Sequence, residues 1–363
     1  MAKDLLEQAR KEINEVDKEM AELFVRRMRA AELVAQYKKE RGLAILDEVR
    51  EAEVIRRNSA MIEDEKIREY YVRFLQDTMA VSRMYQSRLM EGMKVAYSGT
   101  EGAFAHIAAC KLYPTAKKIA FADFSEAYRA VERGECDIAV LPVENSYNGE
   151  VGQVTDLMFS GSLYVNGMFD LPVTQDLLAK EGVEISEIRE VVSHPQALGQ
   201  CREYIVRNGF VTHEFANTAL AARWVAESPD KSIAAIASRE AAELFGLKVI
   251  DHDINASRSN STRFAIFSRT ANKRIEKDSG VHSILMFTVR NEAGALAKAV
   301  DVIGRYGFNM RTLRSRPMKE LLWQYYFYVE IEGNVQSEAG VSLLESLGEF
   351  CDKLRFAGTY IKL

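Results

Sequence analysis

The chain has 363 residues, 47% of them hydrophobic and 28% charged, which at roughly 150 residues per domain means two to three domains of ordinary globular composition. That excludes collagen-like, low-complexity and largely disordered classes, and a formal net charge of −5 supplies no basic face for nucleic acid. No window approaches the roughly 18 uninterrupted apolar residues of a membrane span, and the opening MAKDLLEQARKE is charged where a signal peptide is apolar.

These features lead us to expect a cytoplasmic protein with small-molecule partners and no membrane contact. Cys110, Cys136, Cys201 and Cys351 form no CxxC pair, which suits reduced thiols and argues against a disulfide framework or a zinc site.

Residues 1–91 contain one glycine, Gly42, and no proline, so composition alone marks a domain of helices. Leu6, Ile13, Val16, Met20, Leu23, Ala30 and Val34 recur at helical intervals and predict one helix of about 36 residues. At 1.5 Å per residue it is roughly 54 Å long, more than one small domain covers, so a helical homodimer or higher oligomer is expected. A second helix is predicted near 47–60, and a third from about Glu65 to Glu91 with Ile67, Tyr70, Phe74, Val81, Tyr85 and Leu89 as its stripe.

Arg10, Arg27 and Lys38 lie on or beside the first apolar stripe, and Ser82 and Gln86 repeat the anomaly on the third helix. Snorkelling stems at a dimer seam would explain the cations. The polar pair needs partners, and a bound polar ligand would provide them. With Asp47, Arg50 and Glu51 at the start of the second helix, the spacing resembles that of the all-helical chorismate mutase family. The resemblance implies that Arg27 and Arg50 bind substrate carboxylates, that Asp47 and Glu51 hold the hydroxyl end, and that Lys38 and Gln86 donate to the ether oxygen, with Ser82 beside them. Arg10 lies 17 residues from Arg27, about 25 Å along the axis, and should serve the site of a partner chain.

From residue 93 short apolar runs alternate with helical stretches, predicting an α/β sheet domain over 93–268. YSGTEGAFAH at 97–106 offers Gly99-x-x-Gly102 after a strand, a weak hint of an anion-binding turn. Because position 97 is Tyr, the dinucleotide fingerprint is absent. No GxSxG or HExxH occurs and the five histidines are solitary, so neither cofactor nor metal is expected. LPVENSYNG (141–149), VSHPQALGQC (192–201) and SNSTRFAIF (259–267) are loops rich in neutral hydrogen-bonding groups.

Their order resembles prephenate dehydratase, which implies two α/β lobes around a cleft, like type II periplasmic binding proteins, with the chain crossing twice. The resemblance makes Thr262 the leading catalytic residue, has Asn145, Gln200 and Ser193 orient substrate, pairs Arg263 with a carboxylate, and makes Glu144 a support for Asn145. Family members commonly carry a hydroxyl residue where this chain has Ala103.

SRTANKRIEKDSG (268–280) is polar and aperiodic and is expected to be a linker. Beyond it, over 281–363, the strand and helix pattern predicts βαββαβ, a ferredoxin-like α+β module. NEAGALAKAV (291–300) and LRSRPMK (313–319) resemble the phenylalanine-responsive ACT domain of these enzymes. Its effector would lie at Gly294, Ala295 and Leu296, facing a turn with Ser315 and Arg316. Family members carry glutamate where this chain has Arg314, which we expect to pair with Glu292 or Glu320 or to weaken the effector contact.

The module order resembles the bifunctional chorismate mutase/prephenate dehydratases with an ACT domain. That implies conversion of chorismate through prephenate to phenylpyruvate for phenylalanine synthesis. A small-molecule sensor of similar build, or a homologue with one active site decayed, are the alternatives.

Overall fold

The computed structural model describes residues 2–256, 260–272, 275, 280–318 and 324–363. It divides into two compact units, Met1–Met93 and Lys94–Leu363. The first holds three helices, α1 (Ala2–Arg41), α2 (Glu48–Ser59) and α3 (Glu65–Glu91). Aspartates begin the second and third: Asp47 accepts from the Arg50 N–H at 3.0 Å and Asp64 from the Lys66 N–H at 2.8 Å, each satisfying an orphan donor of a first turn.

The faces buried within the unit are not the predicted apolar stripes, of which that of α1 was expected to meet a second chain. On α1 the buried apolar residues are Ala31 and Ala35, in step with Arg27 and Lys38 at intervals of four, four and three. On α3 they are Leu75 and Met79, continued by Ser82 and Gln86. The stripe from Leu6 to Val34 is exposed, with Leu23 at 61% and Ile13 at 57%, and so are Ile67, Tyr70 and Phe74. Small alanines let two helices approach closely, so the larger apolar side chains are left without cover from their own chain.

The second unit begins with a lobe of β1 (Lys94–Ser98), α4 (Phe104–Leu112), β2 (Lys117–Phe121), α5 (Phe124–Glu132), β3 (Ile138–Asn145), β4 (Gly149–Glu150), α6 (Gly152–Ser160) and β5 (Tyr164–Pro172). The chain crosses at 173–175 into a second lobe of β6 (Asp176–Ala179), β7 (Glu190–Ser193), α7 (Pro195–Gln200), α8 (Arg202–Asn208), β8 (Val211–Glu214), α9 (Thr218–Glu227), β9 (Ile233–Ala237), α10 (Arg239–Phe245) and β10 (Lys248–Asp251). It then returns to the first lobe as β11 (Ser261–Ser268). The sheets have orders β2-β1-β3-β11-β5 and β10-β6-β9-β7-β8, so β11 enters between β3 and β5. Its ladders set Thr262 opposite Asn145 and Leu171, and Arg263 opposite Glu144 and Asp170.

The two crossings are tied together. The Val173 N–H donates to the Asn260 carbonyl at 2.9 Å and the Ile254 N–H to the Gln175 carbonyl at 2.8 Å. Of the expected linker, Arg269 is anchored by Nη1 bonds of 2.6 and 2.7 Å to the Val131 and Cys136 carbonyls. Residues 273–274 and 276–279 lie outside the described residues.

The C-terminal part is βαββαβ as expected: β12 (Val281–Val289), α11 (Ala295–Arg305), β13 (Met310–Pro317), β14 (Tyr325–Glu332), α12 (Glu338–Gly348) and β15 (Cys351–Ile361), in the sheet order β13-β14-β12-β15. Eight of the nine β12 residues are buried because both sheet faces are covered. Leu285 and Phe287 pack with α11 and α12 through Ala299, Ile303 and Leu343. Ile284, Met286, Tyr326 and Tyr328 join the core of the first lobe, which includes Leu141 and Met158. The Phe159 and Tyr326 rings stack with centroids 4.2 Å apart.

Candidate active site

In the helical unit Arg27, Lys38, Ser82 and Gln86 fall on the α1 and α3 faces that meet. The Lys38 ammonium donates to the Ile45 carbonyl, and Arg27 Nη1 reaches the Thr78 carbonyl at 3.5 Å. Burial lowers the Arg27 pKa, partly opposed by Glu51. Gln86 Nε2 donates to the Ser82 Oγ and carbonyl, each at 3.3 Å, while Gln86 Oε1 is buried without a partner.

Three assigned residues have other occupations. Asp47 is the α2 cap, Arg50 pairs with Glu53 at 2.6 Å, and Glu51 accepts from Arg83. The expected hydroxyl-end role therefore meets carboxylates that already have local partners. Arg83, which periodicity gave no reason to single out, is the cation of that end. Arg10 is exposed.

In the two-lobed domain a cleft of about 710 Å³ is lined from the first lobe by Gly99, Asn145 and Thr262 and from the second by His194, Gln200 and Asn217, with Gln175 between them. The N-terminal ends of α4 (Ala103–Ala105), α5 and α9 also line it. Each such end carries the positive pole of its helix; Asp123 caps α5 and Asn217 caps α9, accepting from the Glu126 and Leu220 N–H groups at 2.8 and 2.7 Å. α4 has no side-chain cap because Ala103 occupies that position, and the missing hydroxyl leaves the first N–H groups of α4 open. Gly102 is required on two counts. Its φ is +84°, and a Cβ would stand 3.2 Å from both Ala219 and Leu244 of the second lobe.

One polar chain joins the lobes across this cleft. Asn145 Nδ2 donates to Thr262 Oγ1 and to Asn260 Oδ1, both at 2.9 Å, and Asn260 Nδ2 donates to Gln200 Oε1 at 3.2 Å. Asn145 Oδ1 accepts from the N–H groups of Tyr147 and Asn148 at 3.0 Å, which fixes its amide. Asn260 is one of several neutral residues in the 259–267 segment, and nothing in its spacing marks it out.

Two expected cleft residues point elsewhere. Successive strand residues face opposite sides, so with Thr262 in the cleft Arg263 must face away. It bonds Asp170 at 2.8 Å and lies 3.7 Å from Glu144. Asp170 raises the Arg263 pKa and Arg263 lowers that of Asp170. Ser193 is fully buried, with its hydroxyl 2.5 Å from the Ile236 carbonyl, and is absent from the lining. Glu144 also faces away from the cleft and accepts from Arg314. Arg314 thus pairs with a residue not foreseen; of the two expected partners, Glu320 lies outside the described residues.

At the expected effector site, Gly294 is the α11 N-cap with φ +82° and no capping side chain, followed by Ala295 and Leu296. Ser315 and Arg316 belong to the end of β13, where a turn was expected. Ser315 lies opposite Phe327, which lies opposite Phe287, so β14 stands between them and the β12 end that leads to Gly294. Arg316 turns toward the first lobe, bonding Asp156 at 3.0 Å over Gly152. Among the described residues no group of three or more His, Cys, Asp or Glu could hold a metal ion, and no helix is long and apolar enough to cross a membrane.

Comparison with known proteins agrees with this division. The chorismate mutase type II profile matches residues 9–87 and the prephenate dehydratase profile residues 95–272. A bifunctional chorismate mutase/prephenate dehydratase of Neisseria gonorrhoeae is 30% identical over 98% of this chain and 97% of its own. The chain belongs to the bifunctional chorismate mutase/prephenate dehydratase family. Its helical unit is the mutase part, and the cleft lies in the dehydratase part. An arogenate dehydratase/prephenate dehydratase of Arabidopsis thaliana is 34% identical over 74% of the chain and 72% of its own. A prephenate dehydratase structure from Arthrobacter aurescens, in complex with L-Phe, superimposes with a TM-score of 0.68 at 27% identity, covering 74% of this chain and 90% of that one.

Proposed function

We propose that the helical unit rearranges chorismate to prephenate and that the cleft converts prephenate to phenylpyruvate, for phenylalanine synthesis. The observation that carries the dehydratase reading is the direction of the hydrogen bonds at Thr262. Its Oγ1 accepts from Asn145, which leaves the hydroxyl proton to be donated into the cleft.

The reaction balances without redox. The ring carboxylate leaves as carbon dioxide and its bonding pair enters the ring, while the C4–O pair departs with oxygen as hydroxide, which solvent protonates. A donor at the departing oxygen, a dry clamp and the aromaticity of the product suffice. The open N–H groups of α4 suit a substrate carboxylate.

The mutase step is a Claisen rearrangement, which needs a dianion held in a chair and donors aimed at the breaking ether bond. Arg27, Lys38 and Gln86 supply that set from one α1/α3 face, and the partnerless Gln86 oxygen marks a place for a polar ligand. The exposed α1 stripe supports a homodimer in which Arg10 serves a second copy.

The C-terminal module is read as an ACT domain that binds phenylalanine near Gly294 and slows the dehydratase, a reading supported by its βαββαβ order. Pure protein given chorismate without added cofactor should lose it, with prephenate appearing and then phenylpyruvate, and millimolar phenylalanine should slow the second step. Absence of either product overturns the corresponding half.

A further inference from the structure

Two amides in the cleft are more than nine tenths buried, and each has an atom without a partner. In Gln200 it is Nε2, and in Gln175, 2% exposed, it is Oε1. Gln200 was foreseen from sequence; Gln175 was not. It stands on the first crossing, and both of its backbone groups are held by the second. Its N–H donates to Asn255 Oδ1 at 3.0 Å and its carbonyl accepts from Ile254.

Leu171 lies opposite Thr262 and the Val173 N–H bonds the Asn260 carbonyl, so Gln175 follows on the same strand line at the same parity, and both Val173 and Gln175 line the cleft. Burying an amide oxygen without a donor is costly, and an apolar side chain there would avoid the cost. A ligand that brings a donor removes it.

We propose that Gln175 is a substrate-binding residue of the dehydratase, its Oε1 accepting a hydrogen bond from the ring hydroxyl of prephenate. This rests on the prephenate dehydratase reading above. At neutral pH the two carboxylates and the keto oxygen of prephenate are acceptors only, so the C4 hydroxyl is the single donor that can answer a carbonyl oxygen. With its proton held by Gln175, that hydroxyl presents its lone pairs to the Thr262 proton, and the bond to Gln175 orients the group that must leave.

The test uses the full chain with Gln175→Met, which keeps length and removes the acceptor, and Gln175→Leu as a second variant. The expected result is a fall of about 10- to 100-fold in kcat/KM for prephenate in both, with melting temperature and mutase activity kept. Inhibition by phenylpyruvate, which lacks the ring hydroxyl, should stay within twofold of wild type. A kcat/KM within twofold of wild type in both variants overturns the proposal, and so does an equal weakening of prephenate turnover and phenylpyruvate inhibition. Failure of the wild-type protein to turn over prephenate would instead overturn the functional reading on which the proposal rests.

Discussion

Arg314 on β13 donates through Nη2 to Glu144 on β3, the residue next to Asn145. The C-terminal module therefore grips the back of the strand whose front holds the Thr262 network. Arg263, on β11 beside Thr262, faces the same carboxylate at 3.7 Å. A shift of β13 has a short path to both catalytic strands.

Arg314→Ala leaves Glu144 with Arg263 and should change basal dehydratase turnover by less than threefold, because a pair with side chains 30% and 31% exposed contributes only on the order of 1 kcal/mol. Its effect should fall on regulation. Coupling between effector and active site is typically 1–3 kcal/mol, so loss of this strut should raise the phenylalanine concentration for half-inhibition by about fivefold or more while calorimetric binding of phenylalanine persists. Unchanged half-inhibition would show that the module signals by another route.

Lys38 shares the α1 face of Arg27 and donates to the Ile45 carbonyl, in a unit separate from the dehydratase cleft. Lys38→Ala should lower mutase turnover by about 10²–10³, the usual effect of removing one preorganised donor at a developing charge, with prephenate turnover untouched. A variant retaining more than half its mutase activity would remove Lys38 from the mechanism.

What the sequence revealed and what it concealed follow from the range of the interactions. The helix break at Gly42 and the βαββαβ order are local and were legible, whereas Asp47 was read as a substrate residue and is the α2 cap. The α1 stripe was legible as apolar and as more than its own domain covers, but the face that meets α3 was not, because the alanine spacing at Ala31 and Ala35 that decides it is silent in a hydrophobicity pattern. Arg263 was misplaced although strand parity could have corrected it: if Thr262 faces the cleft, its neighbour cannot. Asn260, Gln175 and Arg83 gain their meaning from partners 32 to 115 residues away, and no spacing rule reaches that far.

Thr262→Val keeps shape and strand propensity and removes the donor aimed into the cleft. Dehydratase turnover should fall by about 10² or more, and prephenate should accumulate when chorismate is supplied. Asn260→Ala, which cuts the link between Asn145 and Gln200 but touches no reacting atom in this scheme, should give a smaller fall. Equal loss of both activities in Thr262→Val would point to misfolding, and intact turnover would make the threonine a strand-capping residue only.

His282 provides a pH test of the C-terminal module. Its side chain is 9% exposed and its ring stacks on Tyr360, with Nδ1 3.6 Å from Glu330 Oε1. Burial lowers its pKa below the ordinary 6.5; Glu330 and Glu332 oppose the shift, while Arg311 and Lys362 reinforce it. Above pH 6.5 the ring is neutral in both folded and unfolded chains and the module has its full stability. As pH falls below that value the unfolded chain takes up the proton first, so stability drops until the folded pKa is reached. The melting temperature should therefore fall between pH 7.5 and 5.5, and His282→Gln, which cannot titrate, should show a shallower fall over the same range. Other histidines contribute equally to both proteins, so the difference between the two curves isolates this ring. Parallel curves would mean that His282 is protonated as readily in the folded module as in the unfolded chain.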